Sequence, residues 1–173
     1  MEQVKTENEA ESQRTTGADA FQLQRLIERA RDEQNLLFGV LAGAGTASAA
    51  AVLWAVVTVV TGYQIGWMAI GVGFVVGLAV RTAGRGVDVS FGVVGAALAL
   101  FGCLAGNMLG VCILLSQQES IELTQLLTHL NPTVAFTLMR ATFSPIDLLF
   151  YGLAIYQGYR FSILQIRTED ANA

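Results

Sequence analysis

The sequence predicts an all-α polytopic membrane protein, a helical bundle with four transmembrane helices. Three observations predict it. Of 173 residues, 53% are hydrophobic and 14% charged, where soluble domains carry roughly a quarter charged. The charges leave long gaps, including 47 positions between Glu33 and Arg81. Basic residues also alternate from loop to loop. The composition argues against a soluble enzyme or binding domain, and against a disordered or disulfide-rich secreted chain.

Residues 1–20 are polar and acidic. They hold too few apolar side chains to offset ordering and read as a disordered cytoplasmic tail. They also lack the apolar core of a signal peptide. Residues 21–36 change pattern. Leu23, Leu26, Ile27 and Ala30 recur at helical spacing, and Arg29 and Glu33 are spaced for an i,i+4 pair. An amphipathic cytoplasmic helix is expected. One reading lays it on the membrane surface or makes it an extension of the first span. The other docks it on a cytoplasmic partner protein.

A span needs about 20 apolar residues. The 47-residue gap therefore fits two, broken at Thr61-Gly62-Tyr63-Gln64, with spans at about 37–60 and 65–80. Tyr63 and Trp67 at the turn suit the headgroup region. A third span, about 89–115, fills the uncharged run between Asp88 and Glu119. The fourth, about 146–163, is shorter and less apolar. Ser144-Pro145-Ile146-Asp147 reads as its start, with an N-cap serine, a first-turn proline and an acid at the positive helix end. These spans make a membrane domain over 37–163, followed by a cytoplasmic tail over 164–173.

The loop 116–143 carries two apolar stripes separated by Asn131-Pro132, a cap followed by a first-turn proline. Two short amphipathic helices are expected there, interfacial or re-entrant. His129 in this loop reads as an interfacial polar residue rather than a metal ligand or base.

Arg25, Arg29 and Arg31 precede the first span, Arg81 and Arg85 lie between the second and third, and Arg160 closes the fourth. The first turn has no basic residue and the long loop has Arg140 alone. The positive-inside rule then puts both termini in the cytoplasm. A bacterial inner membrane fits such a chain.

Fifteen of 18 glycines lie between Gly39 and Gly110. Gly39 and Gly43 begin a small-residue stripe in the first span, Gly66, Gly73 and Gly77 one in the second, and Gly102, Gly106 and Gly110 one in the third. Lipid is as apolar as leucine, so helices associate where small residues let backbones approach. The stripes predict tight contact. Whether it lies within one chain or forms a homo-oligomer seam stays open. Asn107, the intramembrane polar residue beside the third stripe, is expected to hydrogen-bond across helices.

No catalytic, phosphate-loop or metal motif occurs in the sequence. No catalytic residue, metal or cofactor is therefore assigned, and no nucleic-acid partner. Cys103 and Cys112 are too far apart along one helix for a disulfide, at about 13 Å. Spans one to three hold no ionisable acid, amine, guanidinium or imidazole, which disfavours an ion-coupled transporter.

The segment Gly62-Tyr63-Gln64-Ile65-Gly66-Trp67-Met68-Ala69-Ile70-Gly71, with Phe101 to Asn107 and Phe143 to Tyr159, resembles a family of small uncharacterised bacterial four-span membrane proteins. The resemblance covers roughly residues 53–162. Some members carry an N-terminal zinc ribbon. Residues 1–36 have no cysteine, so that module is missing here. The resemblance implies architecture alone: a membrane anchor behind variable soluble heads. The expected role is a non-enzymatic scaffold or interaction protein. The alternative is a small-solute pore or transporter subunit acting as an oligomer.

Overall fold

The computed structural model describes residues 21–63, 66–119, 122–128, 131–142 and 144–164. Every regular element among them is a helix. Residues 21–33 form α1. Then come α2 (Leu36–Thr61), α3 (Met68–Gly84), α4 (Val89–Glu119), α5 (Leu123–Thr128), α6 (Pro132–Thr142) and α7 (Pro145–Ser162). The 1–20 and 164–173 tails, except Leu164, and His129 lie outside the described residues.

Local chemistry sets the helix ends. Asn35 caps α2, its Oδ1 accepting the Phe38 N–H at 3.3 Å. Gly62 closes α2 at φ 68°, a left-handed position that glycine adopts without Cβ strain. Its N–H donates to the Thr58 carbonyl at 2.9 Å. The 66–67 turn leads into α3, with Ala69 N–H on the Gly66 carbonyl. The second apolar helix thus runs over 68–84, shifted toward the C-terminus of the expected 65–80. The N–H of Val134 donates to Asn131 Oδ1 at 2.8 Å at the head of α6. At the head of α7, the Asp147 carboxylate accepts the Ser144 N–H at 2.9 Å.

Among the described residues, two helices, α2 and α4, are long and apolar enough to cross a membrane. Their 26 and 31 residues extend about 39 and 46 Å, against a hydrocarbon core of about 30 Å. The apolar α3 is shorter, at 17 residues.

The four longer apolar helices pack around a core of small side chains. Ala47, Ala69, Val76, Ala99, Cys103 and Ala154 are fully buried. Trp54, Phe91 and Tyr151 are the large side chains buried with them, while many others lie outside: Leu41, Leu53, Val56, Phe74, Phe101, Leu148 and Leu149 are all exposed. α2 touches α3 and α4, α7 touches α3 and α4, and α3 meets α4 across the middle. α2 and α7 therefore sit at opposite corners. Register fixes direction. Gly102, Gly106 and Gly110 on α4 face Ala47, Ala51 and Thr58 on α2, so these helices run parallel. Gly73 and Gly77 on α3 face Ala154 and Gly158 on α7, so these also run parallel. Gly95 on α4 faces Ser162 and Gly158, while Asn107 further along α4 meets Tyr151, which makes α4 and α7 antiparallel. Both ends of the described chain thereby come to the end of the bundle that holds the α3–α4 loop.

Candidate functional site

Two polar constellations stand out, one inside the bundle and one at the α3–α4 loop.

Inside, Asn107 Nδ2 donates to the Tyr151 hydroxyl at 3.1 Å, linking α4 to α7. Asn107 is 9% and Tyr151 8% exposed, so each satisfies a group that would otherwise be costly in an apolar interior. From α2, Trp54 Nε1 and Thr58 Oγ1 are buried with no hydrogen-bond partner among the described residues. Trp54, Asn107 and Tyr151 line a small cleft with Gly66, Asp147 and Phe150, with room for about one water molecule. The cleft holds donors and acceptors and no described basic group. Trp67 covers Phe150 with ring centroids 5.9 Å apart.

At the α3–α4 loop, Asp88 gathers the N-terminal segment. Arg31 reaches Asp88 Oδ1 through Nε at 3.1 Å and Nη2 at 2.8 Å. Gln34 Nε2 donates to Asp88 Oδ2 at 2.6 Å. The hydrogen bond from Gln34 is the largest influence on the Asp88 carboxyl; desolvation opposes it, and the hydrogen bond and charge of Arg31 add to it, so the carboxyl sits below its ordinary value. Asn35 N–H donates to the Gly84 carbonyl at 2.9 Å, and Leu164 N–H to the Gly86 carbonyl at 2.8 Å. Glu33 pairs with Arg85 Nη1 at 3.2 Å across the loop, in place of the expected i,i+4 pair with Arg29. Arg85 takes a left-handed φ of 47° between Gly84 and Gly86. A Cβ at either glycine would strike the Phe91 ring, which is 2% exposed in this cradle.

The remaining sequence-assigned residues lie as follows. A Cβ on Gly39 would meet Phe91 and the Val80 carbonyl, and on Gly43 the side chains of Val80 and Leu98. One on Gly66 would enter the Phe150 ring, and one on Gly106 would meet Trp54 Cβ at 3.0 Å. Arg25 lies over the Phe21 ring at 4.5 Å, and Arg29 is exposed. Arg160 Nη1 donates to the Tyr156 hydroxyl at 2.8 Å, and Arg81 lines a separate cleft with it. Cys103 and Cys112 are buried free thiols.

Sequence reasoning missed Asp88, Tyr151, Trp54 and Gly95. Asp88 had a signal, being the only acid between Glu33 and Glu119. Tyr151 meets Asn107 in the core, a pairing that its place in an aromatic-rich fourth span does not signal. Trp54 had no signal beyond its size. No family model, curated protein or solved structure matches the chain.

Proposed function

We propose that the chain is a four-span integral membrane protein with both termini in the cytoplasm, acting as a non-enzymatic scaffold. The observation that carries the reading is the inverted distribution of size. Alanine, glycine and a few valines line the helix contacts, with Trp54, Phe91 and Tyr151 the large rings among them, while many leucine, valine and phenylalanine side chains are exposed on α2, α3, α4 and α7. Water does not tolerate such a surface at this extent, and lipid does. The sequence resemblance to small bacterial four-span proteins implies the same architecture, and the loop-to-loop alternation of arginines fits an inner membrane. α3 and α7 are short for a bilayer, and Trp67 at the head of α3 and Tyr159 in the last turn of α7 suit the interface that would complete each crossing.

The scaffold role rests on α1. Its apolar stripe, Leu23, Leu26, Ile27 and Ala30, is half-buried, and its charged side chains fasten it to the α3–α4 loop. A helix held there offers a cytoplasmic protein a fixed surface, and residues 21–35 are the proposed contact. The test is crosslinking of the full chain in native membranes, comparing wild type with L26D/I27D. Loss of specific crosslinked products supports the role. An unchanged set of products at unchanged expression sinks it.

A second reading, an oligomeric small-solute pore, is favoured by the buried Trp54 Nε1, which has no hydrogen-bond partner among the described residues and lines a cleft with Asn107. It requires that Asn107→Leu abolish flux in proteoliposomes with assembly intact. Equal flux in wild type and variant removes that path.

A further inference from the structure

Arg81 lies in the last turn of α3 and Arg160 in the last turn of α7. Because these helices run parallel, both side chains reach one cleft of about 390 Å³, together with Tyr156, Gln157, Phe161 and Ile163. That volume lies within the roughly 300–1,000 Å³ of small-ligand sites. The cleft's arginines differ from their neighbours. Arg31 and Arg85 are neutralised by Asp88 and Glu33. Arg81 and Arg160 have no carboxylate partner among the described residues. Arg160 is steadied by its bond to the Tyr156 hydroxyl, which uses one of its five N–H donors. Two guanidiniums facing one cleft repel each other until an anion joins them. Their planar forks match phosphate oxygens two at a time. Phe161, packed edge-on against Phe74 at 4.8 Å, supplies an apolar wall beside the charge.

We propose that this cleft binds a phosphate group, that of an anionic phospholipid headgroup. The proposal rests on the membrane-spanning reading above, which sets the ends of α3 and α7 at headgroup depth. Basic pockets between helices at the cytoplasmic surface suit such lipids. The phosphate takes the guanidinium donors, and the glycerol and upper acyl carbons lie along Phe161 and Ile163.

The test uses the full chain in detergent micelles, titrated with phosphatidylglycerol, phosphatidylcholine or inorganic phosphate alone, and read by native mass spectrometry. Wild type retains phosphatidylglycerol over phosphatidylcholine. R81Q and R160Q each lower that retention about tenfold, as expected for lost charge-assisted hydrogen bonds. R85Q removes the same charge outside the cleft and changes it less than about twofold. Arg160 is exposed, so R160Q carries the test if R81Q does not fold. Equal losses in R85Q and R81Q overturn the site in favour of diffuse charge. So does the absence of any preference for phosphatidylglycerol. Inorganic phosphate binding as tightly as the lipid, and lost in the same two variants, overturns the lipid as the source. Alkaline extraction separates this result from the wider reading. Release of the chain without detergent sinks the membrane assignment, whereas a membrane-retained chain without lipid selectivity sinks the cleft alone.

Discussion

Asn107 and Tyr151 show how a single polar pair is accommodated in an apolar bundle. Their hydrogen bond spans α4 and α7 at 3.1 Å. Such bonds in membrane proteins average roughly 0.6 kcal/mol. Tyr151→Phe leaves one amide donor unmatched, so its expected cost is larger, about 1 kcal/mol, by unfolding in mixed micelles of rising SDS content. No loss of stability in Y151F means that the amide has another partner. Asp88 provides a pH-dependent counterpart outside the bundle. Its carboxyl titrates below the ordinary 3.8 because Gln34 and Arg31 favour the ionised form. A lowered folded-state value contributes stability above 3.8 that is lost as pH falls through Asp88's own value. Amide exchange in α1 is therefore expected to rise below that pH, and Asp88→Asn to raise it at neutral pH. An α1 whose exchange ignores both changes is not held by Asp88.

Helix pairs in this bundle meet through glycine. A Cβ at Gly73 would lie 2.5 Å from the Ala154 carbonyl oxygen, and one at Gly158 2.6 Å from that of Gly95. Backbone atoms cannot swing aside, so the helices must separate. Gly73→Ala and Gly158→Ala are expected to lose about 1–3 kcal/mol through overpacking. Gly45 and Gly71 have nothing within 4 Å of a built Cβ, so alanine there is expected to be neutral or stabilising by up to about 1 kcal/mol. Mixed-micelle unfolding of the four variants checks the contrast, and equal effects at all four sites break the argument. Gly102 and Gly106 face Ala47, Ala51 and Trp54 of the same chain. Leucine at either position is therefore expected to lower stability without changing the oligomeric mass in nanodiscs. Dissociation of a stable oligomer by these substitutions makes the stripe an intersubunit seam.

For the whole molecule, the organising feature is that α1, the α3–α4 loop and the end of α7 come together at one end. Arg31, Asn35 and Leu164 each bond to residues between Gly84 and Asp88. Both ends of the described chain therefore lie at one end of the bundle. Cysteines placed at residues 22 and 164 are expected to be shielded from a membrane-impermeant thiol reagent in intact cells, and one at Tyr63 to react. Labelling at residue 22 but not at Tyr63 inverts the topology. Opposite labelling of residues 22 and 164 leaves an odd number of crossings and rules out four spans.

How much of this was legible in the sequence differs by element. The charge gaps locate α2 and α4 within a few residues, because apolar length is a one-dimensional property. Asn131 and Ser144 announce the starts of α6 and α7, because a cap is written within four residues. Small-residue spacing marks Gly102, Gly106 and Gly110 as one face for the same reason: a helix maps sequence onto a cylinder. It cannot name the partner, since any small face suits any other. Only the tertiary structure set Gly102 against Ala47 and Gly95 against Ser162, 67 positions away. It also joined Asn107 to Tyr151, 44 positions apart, and Arg81 to Arg160 across one cleft. Sequence by itself determined that this chain folds as apolar helices with charged ends. The relative rotation and direction of those helices, which decide every polar meeting point, arose from packing between segments that no local pattern connects.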